Sequence, residues 1–462
     1  MTGVLVIGNG PAAHRLVHRL RQLGHSGGVT VLGAEPRAAY NRVLLTSVLD
    51  GSLPPDAIAL PRHPDGTRVR LGVTAVGVDR ARRLVLARAD DGRGMLSYRY
   101  DRLVLATGAR PRIPEVAGVR MPGGRLAEGV RCLRTLADCE RIGPGQVAVL
   151  GAGVLGVEAA LALRRAGYEV TLAHRRAQPM GRLLGPRGGE LLAERLRDLG
   201  VELELGHRAV GYAPGKLLLD DGRTLPADTL LLCTGVTPET GLARAAGLAV
   251  ACGVVVDDQL RTSDPYVHAI GDCAEHAGRV SGLVESAWQQ ADTLARVLAG
   301  ERVGHRAAKP VIRPRTPGIH IAALGTPDGG GAEVVTFSDP ARGRYASLAL
   351  REQRITGAVL IGLPQAIASV SQLYDRDLPV PADRLALLLG TASRRGSGAL
   401  ELPDDAVVCL CNNVMKRTLS DAWRGGAREL PDLAAATRAT TGCGGCAPDV
   451  RRLCAALERE TG

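Results

Sequence analysis

Residues 146–158 read Gln146-Val147-Ala148-Val149-Leu150-Gly151-Ala152-Gly153-Val154-Leu155-Gly156-Val157-Glu158. An apolar run of strand length enters a three-glycine turn, an alanine- and leucine-rich helical pattern follows to Gly167, and Tyr168 to Ala173 has the pattern of a second strand. The same grammar stands at the start of the chain. Val4 to Ile7 is apolar, Gly8-Asn9-Gly10-Pro11-Ala12-Ala13 makes the turn, Leu16, Leu20 and Leu23 mark one helical face, and Val29 to Leu32 ends just before Glu35. Each unit matches the strand-turn-helix that seats a dinucleotide pyrophosphate at a helix N-terminus. In the first unit Gly8 permits the tight turn, Gly10 admits the pyrophosphate to the backbone, Ala13 allows close helix packing, and Glu35 is placed to accept ribose hydroxyls. Gly151, Gly153 and Gly156 take the same three places in the second. One such fingerprint is compatible with an ordinary strand-to-helix turn; two predict two dinucleotides, a tightly held flavin and an exchangeable nicotinamide nucleotide.

Working outward, Leu103-Val104-Leu105-Ala106-Thr107-Gly108-Ala109-Arg110-Pro111 is a strand entering a Gly/Pro turn, and Leu230 to Pro238, with Thr234-Gly235, repeats it. Thr262 to Cys273 places Gly271 and Asp272 where a buried strand meets a turn, suited to accept a ribityl hydroxyl. With these segments the chain resembles the pyridine nucleotide-disulfide oxidoreductase superfamily over about residues 1–305. The resemblance implies an FAD-binding domain built from residues 1–112 and 241–305, with an NAD(P)-binding domain at 113–240 inserted between them. Ala106, Thr107, Gly108, Gly271 and Asp272 join the FAD set. Glu158, which in related proteins faces the flavin, is also a good helix former.

The 462 residues are enough for about three domains. Apolar residues are 45% and charged ones 23%, without an apolar run approaching the ~20 residues of a membrane span. Strand-like sequence begins at Val4, which leaves no room for a secretory leader, so a cytoplasmic protein without a membrane partner is expected. Ten cysteines then read as thiols or metal ligands rather than a disulfide framework. The net charge is +11, yet only Lys216, Lys309 and Lys416 among 58 basic residues are lysines, a bias of GC-rich coding. No basic stripe is interleaved with aromatics, and no nucleic-acid partner is expected. The charge suits docking of an acidic protein or attraction of anions.

The last 60 residues carry Cys409-Leu410-Cys411, a 31-residue interval, and Cys443-Gly444-Gly445-Cys446. Four thiolates in two short-range pairs can surround one small centre, a zinc ion or an iron-sulfur cluster. The pattern resembles the bacterioferritin-associated ferredoxin-like domain, a small helical 2Fe-2S module, across residues 406–457. Cys454 follows Val450 at helical spacing and reads as packing. Cys132, Cys139, Cys233, Cys252 and Cys273 show no paired ligand spacing and default to thiols.

Disulfide reductases of the superfamily carry cysteine shortly after the first strand-helix-strand unit. Here Tyr40-Asn41-Arg42-Val43-Leu44-Leu45-Thr46-Ser47-Val48-Leu49-Asp50-Gly51 contains none, so thiol relay is not expected. This segment resembles the flavin domains of bacterial NAD(P)H-dependent nitrite reductases and of assimilatory nitrate reductase electron-transfer subunits, families that also carry the C-x-C…C-x-x-C domain. By that resemblance Arg42 approaches the FAD pyrophosphate. Apolar alternation in Ala346 to Leu350 and in Ile355 to Ile361, separated by Arg351-Glu352-Gln353-Arg354, predicts a β-rich domain at 306–390, similar to the α+β reductase C-terminal domain of those families. Gly329-Gly330-Gly331 reads as a loop tip, and Ala392 to Gly398 as a linker to the 2Fe-2S domain at 400–462. The chain ends at Gly462 without a sirohaem-binding half or a molybdenum domain, so the expectation is that electrons pass to a separate terminal reductase.

The expected fold class is α/β: two Rossmann-like dinucleotide-binding domains, one inserted in the other, then the small α+β domain and the small helical 2Fe-2S domain. The expected chemistry passes a hydride from the nicotinamide to the flavin and single electrons onward through the cluster. No side-chain acid or base is required, and no catalytic residue is assigned; the ten histidines show no metal spacing. The nicotinamide unit's second strand runs into His174-Arg175-Arg176 with no carboxylate to select NADH, and these residues predict contacts to a 2′-phosphate and use of NADPH, with NADH the alternative. Three functional readings are open: an electron-transfer component for nitrate or nitrite assimilation; a reductase for a ferredoxin, a rubredoxin or a biosynthetic oxygenase; and a non-enzymatic redox sensor or scaffold.

Overall fold

The computed structural model describes residues 3–90, 92, 94–307, 309–326, 331–390, 403–404, 406–409, 414–437, 439–440 and 446–461. The expected linker at 392–398 and Gly329 and Gly330 of the expected loop tip lie outside these residues; Gly331 is in a turn. Packing divides the chain into two compact units, Met1–Glu115 with Val130–Gly143 and Leu231–Ala308, and Val116–Gly129 with Pro144–Leu230 and Lys309–Gly462. Residues 130–143 and 231–240, which sequence alone assigns to the inserted domain, therefore pack with the first unit. One reason is backbone pairing: Val236–Pro238 runs antiparallel to Ala109–Pro111, so the two Gly/Pro turns are joined.

In the first unit a five-stranded sheet has the order Val267–Ala269, Arg102–Leu105, Val4–Ile7, Val29–Gly33, Thr67–Leu71. All neighbours are parallel. Val4 to Ile7 are all buried, as befits a central parallel strand covered on both faces. Helix Pro11–Gln22 starts with proline at its first turn, where a missing N–H costs nothing, and buries Ala13, Leu16, Val17 and Leu20. It lies beside helix Val284–Leu298, to which Arg15 is fastened by a 2.8 Å bond to Asp292. An antiparallel meander, Val73–Asp79, Leu84–Ala89 and Met95–Arg99, adds Val85, Ala87 and Ala89 to the same core.

The second unit repeats the plan with parallel strands Gln146–Leu150, Glu169–His174 and Glu202–Leu205. Helix Val154–Arg165 buries every residue from Gly156 to Leu163, which is why it is rich in alanine. Its following strand includes His174, one residue beyond the expected end. Farther on, strands Val311–Ile312, Ile321–Gly325, Arg354–Ile361, Arg344–Arg351 and Glu333–Asp339 form an antiparallel sheet with helices Pro364–Asp375 and Arg384–Leu388. Its central hairpin turns on Glu352 and Gln353, both at positive φ (50° and 60°), as a two-residue turn of this twist demands. Arg351 and Arg354 are a closing strand pair rather than loop.

At the C-terminal end, helices Lys416–Arg424, Leu430–Thr437 and Ala447–Thr461 surround Leu419, Trp423, Leu433, Val450 and Leu453. Cys454 joins that core, as helical spacing implied. A short ribbon, Val407–Cys409 against Val414–Met415, precedes the helices, so the first cysteine of the motif ends a strand. Among the described residues no helix is long and apolar enough to cross a membrane.

Candidate cofactor sites

The two glycine turns have one backbone geometry. Gly8 and Gly151 both sit at φ +111°, and Gly10 (−91°, −174°) and Gly153 (−78°, −172°) cap the helices that follow. At Gly8 a Cβ would stand 2.1 Å from the Ala106 carbonyl oxygen, so glycine is required by contact as well as by conformation. At Gly10 and Gly153 nothing lies within 4 Å of where a Cβ would stand. That open ground lies at the positive, N-terminal end of a helix, which fits an approaching pyrophosphate. Ala13 is fully buried and Gly156 is buried, consistent with close packing at the third position.

Around the first turn, Glu35 lies two residues beyond its strand. Its carboxylate accepts from the Arg42 guanidinium, and from the Tyr40 hydroxyl at 2.7 Å. Arg42 also donates to the Tyr40 oxygen and to the Arg134 carbonyl, each at 2.9 Å. Asn41 accepts from Val43 N at 3.1 Å and caps the turn that presents Arg42. Asp272 is held in the turn Gly271–Cys273, where Gly271 N donates to buried Gln290 at 2.7 Å. A Cβ on Gly271 would stand 3.2 Å from that of Ala12, which places this turn against the start of the first helix.

Arg134, which sequence reasoning missed, joins these pieces. Its Nη2 donates to Asp272 Oδ2 at 2.6 Å and its Nε to the Ala109 carbonyl at 3.2 Å. Gly108, at φ +73°, would bring a Cβ to 4.0 Å from the same guanidinium, and Thr107 donates to the Glu239 carbonyl at 2.8 Å. No local signal marks Arg134 in a chain where nearly every basic residue is arginine. Burial pushes the Cys139 thiol up to about 12 and raises Cys273 also, so neither is a thiolate at neutral pH.

Around the second turn, His174 ends its strand and accepts from Ala152 N at 3.3 Å. Burial, helped by the nearby Arg176 and Arg175, lowers its pKa and keeps it a neutral acceptor. It thus braces the turn, while the two arginines follow in a bend, Arg175 exposed and Arg176 half-buried. Glu204, beside Ala173 in register, is already paired with Arg223 at 3.1 Å. Glu158 is buried in its helix and accepts from Arg315 N at 2.7 Å; burial pushes its carboxyl up to about 7.

Cys409 and Cys446 are both buried in the C-terminal core. The Cys446 sulfur accepts from Thr440 N at 3.2 Å, the kind of amide bond that supports a cluster-ligating thiolate. Cys411 and Cys443 lie outside the described residues. Among the described residues no group of three or more His, Cys, Asp or Glu side chains is placed to hold a metal.

Residues 2–291 match the pyridine nucleotide-disulphide oxidoreductase family, and residues 407–456 match the BFD-like 2Fe-2S binding domain. The chain belongs to the pyridine nucleotide-disulphide oxidoreductase family: it is an FAD-dependent oxidoreductase that binds a pyridine nucleotide and carries a 2Fe-2S domain. It is 30% identical to the nitrite reductase (NADH) large subunit of Escherichia coli (strain K12), over 97% of this chain and 54% of that one. It is 29% identical to the assimilatory nitrate reductase electron transfer subunit of Bacillus subtilis (strain 168), over 97% of this chain and 59% of that one. The chain thus spans a little over half the length of these curated relatives. A solved structure of putidaredoxin reductase in covalent complex with putidaredoxin is similar at TM-score 0.73 and 26% identity, covering 85% of this chain and 99% of that one.

Proposed function

We propose that this chain is the NAD(P)H-dependent electron-transfer component that supplies an assimilatory nitrate or nitrite reductase on a separate protein, in the cytoplasm. The observation that carries the reading is the combination in one chain of two dinucleotide turns and a four-cysteine module, with no cysteine in residues 40–51 for a thiol relay. Similarity across 97% of this chain to a nitrate reductase electron transfer subunit supports the choice of acceptor.

In this reading residues 1–112 and 241–305 form the FAD domain, 113–240 the nicotinamide domain, 306–390 a small α+β domain and 400–462 the cluster domain. Gly8, Gly10 and Ala13 seat the FAD pyrophosphate, Arg42 offsets its charge, Glu35 takes ribose hydroxyls, and Asp272, steadied by Arg134, takes a ribityl hydroxyl. Ala106, Thr107, Gly108 and Gly271 let the cofactor lie close to the backbone. Gly151, Gly153 and Gly156 seat the nicotinamide nucleotide, His174 braces that turn, and Arg175 and Arg176 bind the 2′-phosphate of NADPH. Glu158 keeps the helix after that turn tied to Arg315. Cys409, Cys411, Cys443 and Cys446 ligate the cluster. Bound FAD and the cluster supply hydride acceptance and one-electron release. The side chains bind, orient and exclude water, and none moves a proton.

The test is reconstitution. The chain, NADPH and a nitrate or nitrite reductase catalytic protein from the same source should together consume NADPH in step with nitrate or nitrite. Reduction of a one-electron dye but of neither nitrogen oxyanion would refute the acceptor and leave the reductase. A reductase for a ferredoxin-type protein is the second reading, favoured by the likeness to putidaredoxin reductase, and it requires faster turnover with a small iron-sulfur protein in place of the nitrogen reductase.

A further inference from the structure

Asn9 stands between the two glycines of the first turn. Its Oδ1 lies 2.9 Å from Nε2 of His63, 54 residues along the chain. From another side its Cβ approaches Gly33, the last residue of the neighbouring strand, so closely that a Cβ there would be 3.0 Å away. The His63 ring is itself seated against histidines of the helix that the turn caps: centroids lie 5.1 Å from His14 and 6.1 Å from His18, which are 4.3 Å from each other. His14 Nε2 bonds the Pro61 carbonyl at 2.8 Å. The segment Pro61-Arg62-His63 is therefore fastened to the helix at one end and to the cofactor turn at the other.

We propose that His63 is a positioning residue of the flavin site: its Nε2–H holds Asn9, and through Asn9 it keeps the Gly8–Gly10 turn in the shape that receives the pyrophosphate. The proposal rests on the reading of that turn as the FAD site. Burial pushes His63 and His14 down to about 4 and lowers His18, so the trio is neutral at pH 7 and each donor bond uses one tautomer. A second proton on His63 would fall on Nδ1, which is buried and has no hydrogen-bond partner among the described residues. Its charge would also be opposed by His18, while Arg15, paired with Asp292 from the adjacent helix, acts in the same direction on His14 and His18. The sign follows. The folded pKa values lie below the ordinary 6.5, so the stability that the neutral histidines contribute is complete above pH 6.5 and is lost as pH falls through about 4.

The experiment measures FAD dissociation from the full-length holoprotein by the fluorescence of flavin released on dilution, with kcat and KM for NADPH at saturating FAD. His63→Ala leaves the Asn9 oxygen without its donor and should raise the FAD Kd about tenfold, within a range of roughly 5- to 150-fold. His63→Gln presents an amide N–H at the place of Nε2. It should recover affinity to within about threefold of wild type and reduce the extra flavin loss seen as pH falls through about 4, because position 63 then no longer titrates while His14 still does. Gly33→Ala, which pushes Asn9 from the other side, should weaken FAD without touching His63. KM for NADPH should stay constant in all three at saturating FAD. A His63→Ala protein with wild-type Kd overturns the proposal, as does a His63→Gln protein as weak as His63→Ala, which would reduce the histidine to packing. Gly10→Glu separates the layers: if it retains FAD, the assignment of the turn fails, and if it alone loses FAD, only the clamp fails.

Discussion

Alanine at Gly8 and alanine at Gly10 should have opposite consequences, although only Asn9 separates the two positions. At Gly8 the new Cβ would be 2.1 Å from the Ala106 oxygen where about 3.4 Å is needed, so the two strand ends must part by about 1.3 Å. That movement breaks the 2.8 Å bond from Ala106 N to Ile7 O, worth about 1 kcal/mol. A φ of +111° adds roughly 1–2 kcal/mol of left-handed strain for any residue with a side chain. The sum, about 2–3 kcal/mol, should lower the melting temperature of the flavin-free chain by about 4–12 °C, at roughly 2–4 °C per kcal/mol. At Gly10 the backbone is extended and nothing lies within 4 Å, so the flavin-free Gly10→Ala protein should melt with the wild type. Its methyl instead occupies the ground left for the pyrophosphate. Losing two charge-assisted bonds there costs about 3 kcal/mol, near a hundredfold in FAD Kd. Thermal melting of the flavin-free full-length chain and fluorescence titration with FAD separate the two effects. A Gly8→Ala chain that melts normally without flavin, or a Gly10→Ala chain that binds FAD normally, would refute the reasoning.

In the second turn, Arg175→Ala and Arg176→Ala should each lower the ratio of kcat/KM for NADPH over NADH, by about 5- to 150-fold for ~1–3 kcal/mol of phosphate contact, from a wild-type ratio above one; a ratio below one or unmoved by both substitutions counts against phosphate reading. Serine at Cys409, Cys411, Cys443 or Cys446 should remove iron, visible absorbance of the cluster and electron delivery to a protein acceptor, while NADPH still bleaches the flavin and Cys454→Ser keeps the iron; stoichiometric zinc in anaerobic wild-type preparations would overturn the cluster ligand set. Burial holds the Glu158 carboxyl near 7, above its ordinary 4.5, so its contribution to stability is complete below pH 4.5 and fades as pH rises through 7. Glu158→Gln, which can still accept from Arg315 N, should therefore melt higher than wild type at pH 8 and close to it at pH 5; parallel melting curves from pH 5 to 8 would show that the carboxyl is not buried as described.

Both glycine turns were legible because everything they need is contiguous: an apolar strand, a residue that tolerates φ near +111°, an unobstructed helix start and a small residue one turn on. The 2Fe-2S domain was legible for the same reason, since ligand chemistry favours short cysteine spacings within one stretch of chain. The Arg351 to Arg354 hairpin was legible as an interruption of alternation, but that its arginines are strand and only Glu352 and Gln353 are turn depends on backbone pairing. Sequence by itself thus determined the fold class, the two dinucleotide units and the identity of the glycines that shape them. Tertiary structure alone decided which distant side chains serve those units: Arg134 reaches Asp272 across 138 positions, Gln290 reaches Gly271 across 19, and His63 reaches Asn9 across 54. A hydrogen bond needs donor and acceptor within about 3 Å and says nothing about their separation along the chain. An arginine or histidine whose partner is supplied by another segment therefore carries no local mark, and only folding reveals what it holds.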